Sequence, residues 1–222
     1  MGRLIVIEGL DGAGKRTLAD GLHRALTDRG ASTARMAFPR YGRSAPADLV
    51  REALYGRIGD LSDSVYGMAV LYALDRAQAA DELAATLAEH DVLLLDRYVA
   101  SNAAYGAARL HQDADGEFVE WVRALEIERL RLPAPDAQLL LRVPPAVAAG
   151  RSHGRAQLDA ERARDTFEAD DELQARCADV YDQLAAKSWL SRWLVIDGVA
   201  STDHAALATT LLHSHDDVEF PS

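Results

Sequence analysis

Cysteine is almost absent from this chain: Cys177 is the one such residue in 222. An internal disulfide is therefore excluded, and a reducing, cytoplasmic setting suits the sequence. A small buried helix residue is the plain reading of that thiol, with a reactive group as the alternative. No apolar run approaches the ~20 residues that cross a bilayer, which argues against a membrane partner. The start reads as a core strand interrupted by Glu8 and Asp11, not as a signal peptide. No repeat or low-complexity tract occurs, and there is no basic excess. The formal charge of −11 speaks against general nucleic-acid binding. His213 and His215 have no Cys or further His beside them, so a solvated surface is the better reading than a metal pair.

What is present is enough for one α/β domain with a real core, expected over 1–213 with a loose tail at 214–222. Strand-like runs recur at 4–8, 33–38, 92–95, 137–143 and 193–197. Helical patterns at 15–29, 62–88, 99–109, 117–130, 167–186 and 203–213 separate or follow them. The alternation predicts a five-stranded, mostly parallel sheet with helices on both faces.

The first strand runs into G-L-D-G-A-G-K-R-T, from Gly9 to Thr17. Strand, glycine-rich loop and helix in that order make a phosphate-binding P-loop. Glycines 9, 12 and 14 let backbone N–H groups close on phosphate oxygens, Lys15 can reach the β/γ-phosphates, and the helix start adds its positive dipole end. Asp11, Ala13, Arg16 and Thr17 complete the expected ATP-binding loop. Arg16 occupies the place of the hydroxyl that usually ligates Mg²⁺, so the metal is expected at Asp11 and Asp96 instead. An outward salt-bridged Arg16 is the alternative to one that helps hold phosphate.

An acidic protein with a P-loop must gather its arginines locally. Val92–Leu95 followed by Asp96-Arg97-Tyr98 brings a carboxylate and a guanidinium to the end of a buried strand, where ligands bind in open α/β sheets. The Asp suits Mg²⁺ and the Arg fork suits phosphate, while a structural ion pair is the bland reading. In 100–109, Ser101, Tyr105 and Arg109 share a helical face with Asn102 beside them, amid Ala and Gly. So slender a helix suggests a cleft wall with room for a ligand, against a merely solvated face. Residues 151–166 carry Arg151, Arg155, Arg162 and Arg164, with His153-Gly154 as a hinge. They read as a mobile loop closing over a triphosphate or as a salt-bridged surface helix. Phe38-Pro39 is a candidate cis peptide.

Taken together, E-G-L-D-G-A-G-K, F-P-R-Y, A-L-D-R (73–76), D-R-Y, S-N-A-A-Y and the arginine-rich lid resemble the thymidylate kinases, and among them the actinobacterial, mycobacteria-like members. The resemblance implies a P-loop nucleoside monophosphate kinase fold, ATP and Mg²⁺ as co-substrate and cofactor, dTMP as acceptor, and a homodimer built partly on 62–80. It implies Lys15 on the ATP phosphates, Arg97 on the acceptor phosphate with Tyr41 in support, and Arg155 on the transferring group. It implies Asp11 near the sugar 3′-hydroxyl, Tyr72 stacked on thymine with Phe38 beneath, and Arg76 and Asn102 on the base edge. Tyr105 would crowd the 2′ position and Glu168 would be a lid-side carboxylate. Phe167 and Leu158 depart from the mycobacterial pattern, which has a hydroxyl and a basic group there. A deoxynucleoside kinase, a P-loop switch and an inactive relative are the competing readings; no [NT]-K-x-D guanine motif supports the switch.

Overall fold

The computed structural model describes residues 2–158, 167 and 170–213, with backbone alone for 153–158. Five strands, β1 (Arg3–Glu8), β2 (Thr33–Ala37), β3 (Val92–Asp96), β4 (Ala137–Arg142) and β5 (Arg192–Asp197), form one sheet in the order β2-β3-β1-β4-β5. Every pairing is parallel, so the sheet is more uniform than expected. Ile5 stands between Leu94 and Ala137, and Leu4–Ile7 and Val92–Leu95 are wholly buried. Continuous apolar runs of this kind belong to strands covered on both faces. The register carries Glu8 and Asp96 to one carboxyl-terminal edge.

Nine α-helices surround the sheet among the described residues: α1 (Lys15–Thr27), α2 (Ala45–Leu54), α3 (Val65–Gln78), α4 (Ala80–Glu89), α5 (Val99–Arg109), α6 (Glu117–Arg123), α7 (Pro145–Leu158), α8 (Asp171–Ala186) and α9 (His204–His213). A π-helical turn, Ala124–Arg129, continues α6. The expected 62–88 helix is two helices meeting at Ala79. They break because their partners lie in different directions: α3 packs on α2 and α5, whereas α4 drops onto β3 through Leu83 and Leu87. The sequence reading gave no helix at α2. Its start is nonetheless signalled, with Ser44 as N-cap accepting from the Ala47 N–H and Pro46 in the first turn.

Helix α5 corrects a second expectation. Its alanines do not leave room for a ligand; Ala103, Ala104, Ala107 and Ala108 are fully buried where α3, α6 and α8 press on it. An ideal Cβ at Gly106 would stand 2.0 Å from Phe118 Cε1. Gly106→Ala is therefore expected to cost about 1–3 kcal/mol of stability by overpacking, read as a lower urea midpoint at unchanged slope. A slope that changed as well would mean altered compactness rather than a local clash.

Candidate active site

The P-loop leaves β1 and enters α1 through Gly14, whose φ of 102° is open to glycine and strained for other residues. No side chain caps α1, so its first N–H groups face outward for an anion. Helix α7 lies against this loop: a Cβ at Gly12 would meet the Ala148 carbonyl at 2.1 Å. Lys15 folds back over the loop, its Nζ donating to the carbonyls of Gly9 (3.1 Å) and Leu10 (2.9 Å). Burial and the nearby Arg97 push the Lys15 amine down to about 8, against the pull of Asp11, Asp96 and Glu8. Arg16 and Thr17 are exposed. The Arg16 charge is felt by Asp20, on the outer side of α1.

Arg97 follows β3 with φ of 66°, a left-handed conformation uncommon for a non-glycine residue and frequent at functional sites. Its N–H is held by the Ile7 carbonyl at 3.0 Å. The turn aims the guanidinium at Asp11 Oδ1 (2.7 Å), Ser101 Oγ (3.0 Å) and the Tyr105 hydroxyl (3.3 Å), with the Tyr181 hydroxyl at 3.4 Å. Tyr105 also donates to Asp11 Oδ2 at 2.9 Å. Burial would raise the Asp11 pKa, but Arg97 and Lys15 hold it well below the usual carboxylate range. Burial and the Asp11 charge keep the Tyr105 hydroxyl protonated. Lys15, Arg97 and Asp11 thus form one charged centre at the sheet edge.

Glu8, which the sequence reading passed over, lies beneath this centre. Fully buried, it accepts from the Tyr98 N–H (2.9 Å), Ser101 Oγ (2.5 Å) and the Tyr181 hydroxyl (2.9 Å). Both hydroxyls in turn steady Arg97. On the far wall, Arg76 of α3 is buried and forks onto Glu126, Nε to Oε2 at 2.5 Å and Nη2 to Oε1 at 2.8 Å. Asn102 Nδ2 donates to Glu126 Oε1 (2.7 Å) and the Ala69 carbonyl (3.0 Å).

A family model described as thymidylate kinase matches residues 7–205. The chain belongs to the thymidylate kinase family. Thymidylate kinases of two Mycobacterium tuberculosis strains, CDC 1551 / Oshkosh and H37Rv, are each 54% identical over 208 residues, covering 94% of this chain and 96% of theirs. One from Xanthomonas oryzae pv. oryzae, strain PXO99A, is 34% identical over 216 residues, covering 95% and 85%. As a thymidylate kinase family member the chain is a phosphotransferase of nucleotide biosynthesis.

Against the thymidylate kinase pattern, the remaining expected residues divide. Phe38 is buried after a cis bond to Pro39, its ring 6.0 Å from that of Tyr98. Tyr72 stands one turn before Arg76 on α3 and packs on the small cluster of Val50, Ala53, Leu54 and Met68. Tyr41 is exposed, with the Arg51 guanidinium 5.6 Å from its ring. Arg109 leaves the polar stripe to bind the Asp63 carbonyl (3.1 Å) and the Phe167 ring (4.5 Å). Of the expected hinged loop, 151–166, the residues through Leu158 are the end of helix α7, and Arg151 donates to the Ala13 carbonyl of the P-loop at 3.1 Å. The Arg155 and Leu158 side chains, Arg162, Arg164 and Glu168 lie outside the described residues.

The two residues expected on the metal differ in their hydrogen bonding. Asp96 keeps a buried oxygen, Oδ1, with no hydrogen-bond partner among the described residues, as a hard cation or its water would require. Both Asp11 oxygens are already engaged by Arg97 and Tyr105. The described residues hold no cluster of three or more metal-ligating side chains. A Mg²⁺ bound by one carboxylate, with nucleotide phosphates and water completing its shell, fits that donor set.

Proposed function

We propose that this chain transfers the γ-phosphoryl group of ATP to dTMP, giving dTDP and ADP, as a single cytoplasmic kinase domain spanning 1–213. The observation that carries the reading is the placing of two cations about Asp11: Arg97, from the end of β3, paired with it at 2.7 Å, and Lys15, from the P-loop, whose charge lowers its pKa from farther off. Two cations from separate segments converge where donor and acceptor phosphates must meet. Phosphoryl transfer asks little covalent chemistry of a protein, so positioning and charge neutralisation supply the rate.

In this reading the P-loop N–H groups and Lys15 hold the β- and γ-phosphates of ATP. Arg97 draws in the acceptor phosphate and aligns its oxygen behind the γ-phosphorus, with Ser101 and Tyr181 keeping the fork in place. The new P–O bond forms as the bond to the β–γ bridging oxygen breaks. Arg155 neutralises charge on the transferring group from the lid, with Glu168 on the same side. Asp96 and Asp11 would hold Mg²⁺, which would screen the phosphate charges; the Asp11 oxygens each accept one hydrogen bond and keep a lone pair for a cation or its water. Tyr105 stands against the sugar, Tyr72 and Phe38 against the base, and Arg76 and Asn102 read its edge. Tyr41 supports Arg97 on the acceptor phosphate.

The test is ADP release with thymidine, dTMP, dUMP, dCMP and UMP, with and without Mg²⁺. Fastest turnover on dTMP supports the proposal. Preference for thymidine would make the chain a nucleoside kinase, and hydrolysis indifferent to acceptor would make it a switch. Assembly as a homodimer is supported by α3, which exposes Tyr66, Val70 and Leu74 on one stripe, with Tyr66 edge-on to Trp121 of α6. Val70→Asp is expected to halve the mass seen by light scattering; a wild-type monomer at working concentration would refute the dimer.

A further inference from the structure

The buried carboxylate Glu126 belongs to none of the motifs above, yet it touches both residues read as contacting the base. Glu120 and Glu128 pair with Arg123 on the outside, but Glu126 lies one turn beyond buried Val122 and two beyond buried Val119, so helical spacing turns it inward to zero exposure. The π-helical turn Ala124–Arg129 contains it, closed by an i→i+5 bond from the Leu130 N–H to the Leu125 carbonyl (2.9 Å). Single π-turns of this kind are frequent at functional sites.

Three donors converge on the two Glu126 oxygens: Arg76 Nε on Oε2, and Arg76 Nη2 and Asn102 Nδ2 on Oε1. A carboxylate paired with arginine has no proton to give, and neither has the Ala69 carbonyl, the other partner of Asn102 Nδ2. The Asn102 amide therefore has one permitted orientation, with its NH₂ toward Glu126 and Oδ1 on the opposite branch. Arg76, committed through Nε and Nη2, retains Nη1. The pair offers the N–H groups of Arg76 Nη1 as donors and Asn102 Oδ1 as acceptor. That set complements the C4 carbonyl and N3–H of a keto pyrimidine, and it opposes the C4 amino group and bare N3 of cytosine.

We propose that Glu126 is the positioning residue that sets discrimination between keto and amino pyrimidines, by fixing the Asn102 amide orientation and the Arg76 fork. The proposal rests on the reading of Arg76 and Asn102 as base contacts. Glu126→Gln replaces two acceptor oxygens by one, so an N–H must face Arg76 or Asn102, and one of them turns.

The experiment measures kcat/KM for dTMP, dUMP and dCMP on wild type, Glu126→Gln, Glu126→Asp and Arg76→Ala. Ratios between acceptors cancel the fraction of folded enzyme, so a poorly folding variant still decides the question. The dTMP:dCMP preference is expected to fall at least about 30-fold in Glu126→Gln, with dTMP:dUMP and the KM for ATP held within about twofold, because methyl recognition is a separate packing effect. Glu126→Asp keeps an accept-only carboxylate at shorter reach, and is expected to raise the KM for dTMP while retaining the dTMP:dCMP preference. An unchanged dTMP:dCMP ratio in Glu126→Gln, beside a large loss for dTMP in Arg76→Ala, would overturn the role of Glu126 and leave the base reading intact. Equal collapse of the ratio in Gln and Asp would overturn it too. An Arg76→Ala enzyme with wild-type kcat/KM for dTMP would instead remove the base reading on which it rests.

Discussion

Arg97→Lys is expected to lower kcat/KM for dTMP by about 10³-fold while the Kd for ATP changes less than about threefold. Lysine keeps the charge, so simple attraction of a dianionic acceptor survives. What it loses is the fork. Arg97 spreads its guanidinium over Asp11, Ser101, Tyr105 and Tyr181 from a left-handed backbone. One ammonium cannot hold that set and grip two phosphate oxygens in fixed directions. Positioned donors of this kind contribute through transition-state geometry, so the loss should fall on kcat as well as KM. A variant that lost only KM would show that Arg97 binds the acceptor without aligning it. A melting temperature within a few degrees of wild type would separate this from unfolding, because Lys15 remains to compensate Asp11.

The sheet and the donor loop are legible in sequence because both are local. Buried parallel strands are short apolar runs, and all five sit within one or two residues of the expected places. The P-loop is nine consecutive residues, Gly9 to Thr17, so its whole pattern lies in one stretch of chain. The acceptor side is legible only in pieces, since its contacts join distant segments: Glu8 to Tyr181, Arg40 to Asp75, Arg76 to Glu126. No periodicity announces such pairs. Glu126 shares the inward helical face of Val119 and Val122, but its partners Arg76 and Asn102 lie 50 and 24 residues away in the chain. The alanines of α5 mislead for a related reason. Small residues read equally as an open cleft wall or as a surface for close helix packing, and the position of Phe118 decides for packing.

Lys15→Met is expected to lower kcat by about 10²–10³-fold and to abolish a proton uptake that accompanies ATP binding. In the ligand-free protein burial and Arg97 hold the Lys15 amine at about 8, so at pH 8 it carries roughly half a proton. A triphosphate set against it restores the full charge, so wild type should take up about half a proton per ATP at pH 8 and almost none near pH 6.5 from this group. Calorimetry in two buffers of different ionisation heat reads that number directly. Buffer-independent heat at pH 8, or the same uptake in Lys15→Met, would show that the lysine is fully charged before ATP arrives. Stability carries the same signature. Because the folded value lies below the unfolded one, the unfolded chain binds more protons between about pH 8 and 10, and stability from this group rises with pH across that window. Tyr105 and Tyr181, kept neutral by burial, act oppositely and lose stability above the unfolded tyrosine value of about 10. Cys177, its thiol pushed up by burial, acts oppositely too, from its unfolded value of about 8.5. The Lys15 slope is therefore read as the gain of wild type on Lys15→Met between about pH 8 and 9.5, a difference in which those slopes cancel.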